Sequence, residues 1–163
     1  MDRVKEIFGA EIVKNSDPRV VEGRLYQDPI DVCYRIDDII FKILSSGKEI
    51  SDELQEQCLA AIDHSGSVRD SSYIKINSSG HMDNSKTILS LVKGLERLIG
   101  NDDFLRNFDS LSFKEARSDY SWSGNNFQDI RSKDELKKII KEYIDLLNYF
   151  ALKSYPAARK MRH

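Results

Sequence analysis

Four stretches of this chain repeat apolar residues at the spacing of an α-helix, and this pattern limits the fold more than any other feature. The predicted helices cover 29–46, 51–64, 84–99 and 132–155. Each has one apolar stripe rather than an apolar surface all round, so a single layer of mutual packing satisfies all four. The sequence therefore predicts a mostly α fold, an irregular bundle of about four principal amphipathic helices in one domain, 1–163.

Residues that start helices precede these stretches. Asp28 is an N-cap acid before Pro29, which suits the first helical position, and Ser51 is expected to cap the second helix. Ser132 and Glu135 form a capping box at the start of the fourth helix. The apolar stripes predict a core made of Val32, Ile36, Ile39, Ile43, Leu54, Ile62, Ile88, Leu91, Leu95, Leu98, Leu136, Ile140, Tyr143, Leu147 and Phe150.

The polar side of the first helix is expected to face solvent. Asp31 and Arg35 have the i,i+4 spacing of an ion pair on a helix surface. Asp38 and Lys42 have the same spacing, and Asp37 is assigned to the same solvated face.

The segments between the long helices are expected to be less regular. Accessory short helices are predicted at 4–8, 104–108 and 113–117. Two extended pieces, 20–26 and 73–76, would pair as a small two-stranded ribbon. Residues 65–82 and 119–132 are predicted to be long loops.

Residues 78–82 spell Ser-Ser-Gly-His-Met, which resembles the string that a common affinity-tag vector leaves before an inserted protein. Under that interpretation the chain is two interacting polypeptides, 1–77 and 83–163, joined by a linker at 78–82. A natural serine-rich loop within one domain is the simpler interpretation, and the sequence favours it.

Charge is unevenly distributed along the chain. Residues 131–163 hold nine basic residues against four acidic ones, whereas 1–130 hold sixteen against twenty-three. The candidate phosphate-binding residues of this basic end are Lys137, Lys138, Lys141, Arg159, Lys160, Arg162 and His163. Lysine and arginine side chains in such a cluster neutralise nucleic-acid phosphates. The spacing from Arg159 to His163 is shorter than in the arginine–histidine motif of the HEPN helical ribonucleases, so the sequence does not assign the chain to that family.

No catalytic or metal-binding constellation assembles from the sequence. His64, His81 and His163 are far apart, and none has the spacing of a zinc ligand from a cysteine or carboxylate. His64 is instead expected to cap the end of the second helix. Cys33 and Cys58 fall within apolar helical patterns and are expected to be buried, reduced thiols. We expect no catalytic residues, no metal and no cofactor.

An aromatic segment is the strongest candidate for a partner contact. Tyr120, Trp122 and Phe127 lie among serines, glycine and asparagines, the composition of a binding surface. An equal alternative is that these rings fold back over the helical core.

These features favour a protein–protein interaction module without enzymatic activity, an adaptor, regulator or immunity-type binder with an acidic body and a basic C-terminal end. The alternative is a helical nucleic-acid-binding protein or ribonuclease that uses the basic tail. The first six residues carry charges of both signs and no apolar segment follows them, so we expect a cytoplasmic protein without a membrane span.

Overall fold

The structure is a computed structural model that describes residues 19–45, 49–77, 83–106, 130 and 132–154. Within these residues the chain forms two short strands and five helices. The elements are β1 (Val20–Val21), β2 (Arg24–Leu25), α1 (Pro29–Leu44), α2 (Asp52–Asn77), α3 (Ser85–Ile99), α4 (Asp102–Arg106) and α5 (Lys133–Ser154). The predicted mostly α bundle with an accessory ribbon is confirmed.

The four long helices pack in chain order around one apolar core. α1 contacts α2, α2 contacts α3, α3 contacts α5, and α5 closes back on α1 and β1. Every residue of the expected core is buried except Ile62, which is partly buried. Burying one such side chain contributes roughly 1.5–3 kcal/mol, so this core supplies most of the driving force for folding.

Some predicted segments fall outside the described residues. These are the short helices at 4–8 and 113–117, the loop at 119–129 and the serine-rich string at 78–82. The helices before and after that string share one core, and the alternative of two joined polypeptides stays a prediction. No helix in the described part of the chain is long and apolar enough to cross a membrane.

The three predicted N-caps are present. Asp28 Oδ1 accepts a hydrogen bond from the Ile30 N–H at 2.8 Å. Ser51 Oγ accepts from the Leu54 N–H at 3.1 Å, and Ser132 Oγ accepts from the Glu135 N–H at 3.1 Å. Each cap satisfies a backbone donor that has no partner within its helix, which stabilises the helix by about 1 kcal/mol.

α2 is longer than predicted, because its second half was expected to be a loop and a strand. Residues 65–77 continue the helix, so 73–76 are helical rather than extended. His64 therefore lies inside the helix and does not cap it. The second half packs through Val68 and three serines rather than through an apolar stripe: Ser65, Ser71 and Ser72 are all buried. Serine is not apolar, so these buried positions do not continue the apolar pattern of the sequence. The pattern therefore ends near residue 64, although the helix continues to Asn77.

The ribbon forms within residues 20–25 alone. β1 and β2 are antiparallel, with Val20 opposite Leu25 and Val21 opposite Arg24. The two connecting residues both have positive φ, 55° at Glu22 and 73° at Gly23, as a tight hairpin turn requires. Glycine adopts this conformation without strain, but glutamate does so rarely. Contacts of the Glu22 side chain must therefore stabilise the positive φ of this residue.

Those contacts come from the core. Arg35 Nε donates to Glu22 Oε1 at 2.8 Å and Arg35 Nη2 donates to Oε2 at 2.6 Å. The Tyr143 hydroxyl donates to Glu22 Oε1 at 2.5 Å. The Tyr26 hydroxyl lies 2.8 Å from the Tyr143 hydroxyl. Arg35 and Tyr143 are fully buried. Since a buried charge must be paired and hydrogen-bonded, this network fixes the hairpin against α1 and α5.

The prediction that Arg35, Asp37 and Asp38 face solvent is therefore wrong. The Asp31 side chain is 46% exposed and lies 3.8 Å from Arg24 instead of pairing with Arg35. Arg35 is inaccessible to solvent, and Asp38, whose Oδ2 lies 3.6 Å from Arg35 Nη1, is only 5% exposed. Asp37 is also buried. The i,i+4 spacing does not distinguish a surface ion pair from a buried helix face, and the partner that allows burial, Glu22, lies outside the helix.

Replacing Glu22 with alanine should leave the Arg35 guanidinium buried without its bidentate partner. We expect the free energy of unfolding to fall by about 3–5 kcal/mol in urea denaturation. Tyr143→Phe removes only a hydroxyl and should cost about 1–2 kcal/mol. Arg106→Ala is the control, because the Arg106 side chain is largely exposed and its 3.8 Å ion pair with Asp103 contributes at most about 1 kcal/mol. A Glu22→Ala protein as stable as this control would contradict the assignment.

Candidate functional site

A cavity of about 270 Å³ opens at the end of the bundle where α2 and α5 finish and where α1 and α3 begin. Its residues are Arg19, Gln27, Asp28, Pro29, Ser72, Lys75, Ile76, Asn84, Ile88, Tyr149, Phe150 and Lys153. The volume is close to the lower end of the range for small-ligand sites, roughly 300–1,000 Å³. It therefore accommodates one side chain or a small molecule. We refer to it as the basic cavity.

The charged residues that line the basic cavity are mostly basic. Arg19, Lys75 and Lys153 come from three separate parts of the fold, and Asp28 is the one carboxylate among the described lining residues. The Arg19 carbonyl accepts a hydrogen bond from the Tyr26 N–H at 2.9 Å, so the hairpin fixes where Arg19 meets the cavity. Cations that converge on a partly enclosed, low-dielectric space raise the local concentration of anions.

The inner wall of the basic cavity is apolar. Ile88 and Phe150 are buried, and Tyr149 is partly buried beside them. Lys153 Nζ lies 5.5 Å from the centre of the Tyr149 ring, within the range of a cation–π contact. An apolar wall with cations around it suits a ligand that has a carbon body and an anionic group.

Two buried polar side chains complete the lining. Asn84 Nδ2 donates to Ser71 Oγ and to Ser72 Oγ, both at 3.1 Å, and Ser71 Oγ donates in turn to the Val68 carbonyl at 3.2 Å. Ser72 is 2% exposed, so this bond holds its hydroxyl inside the cavity wall. Buried polar side chains generally have such a hydrogen-bond partner.

Exposed apolar side chains surround the same end of the bundle. Tyr73, Ile74 and Ile76 in the last turn of α2 and Leu152 in the last turn of α5 are each more than half exposed. We call these four residues the apolar end. Single exposed apolar residues are ordinary, but a group of them beside a cavity is typical of a contact surface.

Three of the sequence-predicted site residues lie away from this cavity, and the others are outside the described part of the chain. Lys137, Lys138 and Lys141 are exposed on the first half of α5, roughly 18–24 Å from Lys153 along the helix at 1.5 Å per residue. The predicted residues outside the described part of the chain are Tyr120, Trp122, Phe127, Arg159, Lys160, Arg162 and His163. The cavity cations were missed because each is isolated in the sequence, and Lys75 lies in a part of α2 that was expected to be a strand.

A second buried polar cluster joins α1 to α2. Asp37 is 4% exposed and its Oδ2 lies 3.4 Å from Arg69 Nη2, while the Arg69 guanidinium stacks 5.0 Å from the centre of the Tyr34 ring. Burial raises the pKa of Asp37 to about 6, although the Ser65 hydroxyl and Arg69 act to lower it. Desolvation outweighs the ion pair because the carboxylate is so completely enclosed.

The cysteines offer no reactive group beside this cluster. Cys33 and Cys58 are buried free thiols, as predicted. Burial raises the pKa of Cys33 to about 12 and that of Cys58 to about 11, so both remain protonated at neutral pH. Across the described ranges, no group of three histidine, cysteine or carboxylate side chains converges to hold a metal ion.

The described lining of the basic cavity combines cations, one carboxylate, hydroxyl and amide groups and apolar walls. The chain matches no protein family, and comparisons with curated proteins and with solved structures find no significant similarity. The functional conclusion therefore depends on the cavity and its surroundings.

The raised pKa of Asp37 predicts a specific pH dependence of stability. Its pKa of about 6 in the folded state exceeds the unfolded value of about 3.9, so the folded protein binds more protons between these values. The contribution of Asp37 to stability is therefore full below pH ~4 and is lost as the pH rises through ~6. The resulting decrease in the free energy of unfolding is about 3 kcal/mol at most.

Asp37→Asn should remove this loss. We expect the stability of the variant relative to the natural protein to rise by about 2–3 kcal/mol between pH 4 and pH 7 in urea denaturation. Asp63→Asn, at an exposed position of α2, is the matched control and should show no such trend. A constant or falling difference for Asp37→Asn would mean that its ion pair with Arg69 outweighs desolvation.

Proposed function

We propose that the protein is an interaction module that binds an acidic segment of a partner protein at the basic cavity. The observation that carries this proposal is the convergence of Arg19, Lys75 and Lys153 around an apolar wall. Acidic residues of the partner contact the cations, and an apolar side chain enters the cavity. The neighbouring apolar end provides further contact area. An adaptor, regulator or immunity-type binder would work in this way.

The two kinds of contact have different roles in this proposal. Lys153 is exposed and Lys75 is partly exposed, so each charge contact contributes little affinity by itself but directs the approach of an acidic partner. Affinity comes from the apolar side chain that fills the cavity and from burial of the apolar end. The aromatic residues Tyr120, Trp122 and Phe127 remain predicted partner contacts, and they lie outside the described residues.

A defined peptide tests the proposal. The probe is a fluorescent glutamate-rich peptide with one central phenylalanine, and its comparison peptide has lysines in place of the glutamates. We expect the protein to bind the acidic peptide only, with an affinity that falls as salt is added. The double variant Lys75→Glu, Lys153→Glu should bind at least about tenfold more weakly, because both cavity contacts become repulsive.

The control for net charge is Lys93→Glu, Lys133→Glu, which changes two exposed lysines outside the cavity by the same total charge. It should leave binding nearly unchanged. An equal loss in both double variants would show that only the overall charge matters, and equal binding of both peptides would remove the cavity from consideration.

A second candidate function is favoured by the lysines of α5. Lys137, Lys138 and Lys141 are all exposed, as a nucleic-acid-binding face requires. If this face binds RNA, affinity for a short single-stranded RNA should fall with salt by a log–log slope of about 0.7 for each phosphate neutralised. Changing the three lysines to glutamate should abolish that binding, and changing one of them to alanine should weaken it and reduce the slope. Salt-independent binding, or none, would exclude this candidate.

A further inference from the structure

The part of the chain that the structure describes begins beside the basic cavity. Arg19, its first residue, lines that cavity, and the Arg19 carbonyl accepts a hydrogen bond from the Tyr26 N–H at 2.9 Å. Residues 1–18 therefore join the bundle at a fixed point on the cavity edge. We propose that this N-terminal segment docks on the apolar end of its own chain. The inference goes beyond the proposed function, because docking requires no partner protein.

The apolar end is a surface that one apolar side of a helix can cover. Tyr73 is 64% exposed, Ile76 54% and Leu152 55%. Tyr73 and Ile76 are three residues apart on α2 and so share a side of that helix. Leu152 has the same spacing from Tyr149, and both Ile76 and Tyr149 line the basic cavity. The exposed apolar side chains of the two helices therefore lie around one cavity entrance.

The N-terminal segment carries a matching apolar stripe. Its members have the spacing i, i+3, i+4 and i+8 of one side of an α-helix: Val4, Ile7, Phe8 and Ile12. Six charged residues share positions 2–14 with this stripe: Asp2, Arg3, Lys5, Glu6, Glu11 and Lys14. An amphipathic helix of this kind binds an apolar groove through its i, i+3 and i+4 side chains. The apolar end offers such a surface where the segment joins the bundle.

The connection keeps this stripe within reach of the apolar end. Six residues separate Ile12 from Arg19, and they span at most roughly 25 Å when extended. Arg19 and Ile76 line the same cavity of about 270 Å³, so they lie well within that span of each other. A short tether gives its two ends an effective concentration on the order of mM. Weak apolar contacts therefore suffice for docking, and a second copy of the chain competes poorly.

The other end of the chain is a poorer match for this surface. Residues 155–163 also leave the bundle near the cavity, because α5 ends at Ser154. They carry Arg159, Lys160 and Arg162 and have no apolar i, i+3, i+4 stripe. Lys153 at the cavity has the same charge sign and opposes their approach. The N-terminal segment is therefore the better occupant.

A nitroxide spin label on the full chain tests docking without a partner. Glu6→Cys places one reactive thiol on the polar side of the predicted N-terminal helix. Cys33 and Cys58 stay unlabelled, because they are buried and protonated at neutral pH. We expect the label to broaden the amide NMR signals of Ile76 and Leu152 and to leave those of α4, at the far end of the bundle, unchanged.

Variants on both sides of the contact locate it. Phe8→Ser interrupts the stripe and should remove most of the broadening, whereas Val13→Ser, on the opposite side of the same helix, is the matched control and should retain it. On α2, Ile76→Ser should reduce the broadening at Leu152. Leu59→Ser, at a leucine that is 49% exposed in the first half of α2, should not. Thermal unfolding of each variant establishes that the fold is retained.

Docking also predicts weaker binding of a partner by the natural protein. In the proposed function the apolar end contacts the partner, so the N-terminal segment and the partner exclude each other. We expect Phe8→Ser to bind the acidic peptide several-fold more tightly than the natural protein or Val13→Ser. The reason is that apparent affinity falls with the fraction of chains whose binding site is open.

The outcomes separate docking from the proposed function. Broadening that Phe8→Ser removes and Val13→Ser retains would support docking, whereas no broadening, or broadening that both variants retain, would overturn it. Broadening between spin-labelled chains and separate isotope-labelled chains would identify a second copy as the occupant and would also overturn it. Equal peptide affinities of the natural protein and Phe8→Ser would contradict docking on the surface that the partner uses. If no variant binds the acidic peptide, the proposed function fails, and the spin-label result still decides docking.

Discussion

The buried pair of Arg35 and Glu22 is the constraint on which the rest of the structure depends. A guanidinium inside the bundle needs an anion, and the hairpin turn supplies it through two hydrogen bonds of 2.8 and 2.6 Å. The same hairpin ends at Tyr26, whose N–H binds the Arg19 carbonyl and whose hydroxyl meets Tyr143. The position of Arg19 at the basic cavity is therefore set by an interaction in the core.

The C-terminal part of α2 contributes both buried polar side chains and exposed apolar side chains near the basic cavity. Ser71 and Ser72 are buried and joined to Asn84, while Tyr73 and Ile76 on the neighbouring positions point to solvent. A helix that packed through leucines at these positions could not place a hydroxyl group in the cavity wall, as Ser72 does. Its serine-based packing allows polar groups inside the cavity and apolar groups around the entrance, which is what a mixed polar and apolar ligand requires.

The sequence predicted the bundle because its helices are marked by apolar stripes and caps, and the structure confirms helices at Pro29–Leu44, Ser85–Ile99 and Lys133–Ser154. The second half of α2 was missed because buried serines give no periodic signal. Burial of Arg35 was missed because Glu22, its partner, lies thirteen residues earlier in a turn. The cavity was missed for a related reason: its cations are single residues that only tertiary packing brings together.

The hairpin contact also links positions that evolution must change together. Loss of Glu22 removes the bidentate partner of the buried Arg35 guanidinium, and loss of Arg35 removes the cation that pairs with the Glu22 carboxylate, whereas joint replacement by apolar residues need not be unfavourable. Stepwise substitution thus passes through an unstable intermediate, and the pair should co-vary among homologous sequences. Tyr143, which lies 121 residues after Glu22 and shares its carboxylate, should vary with them. A glutamate–glycine turn, an arginine in the next helix and a tyrosine in the last one form a sparse signature by which distant relatives can be recognised.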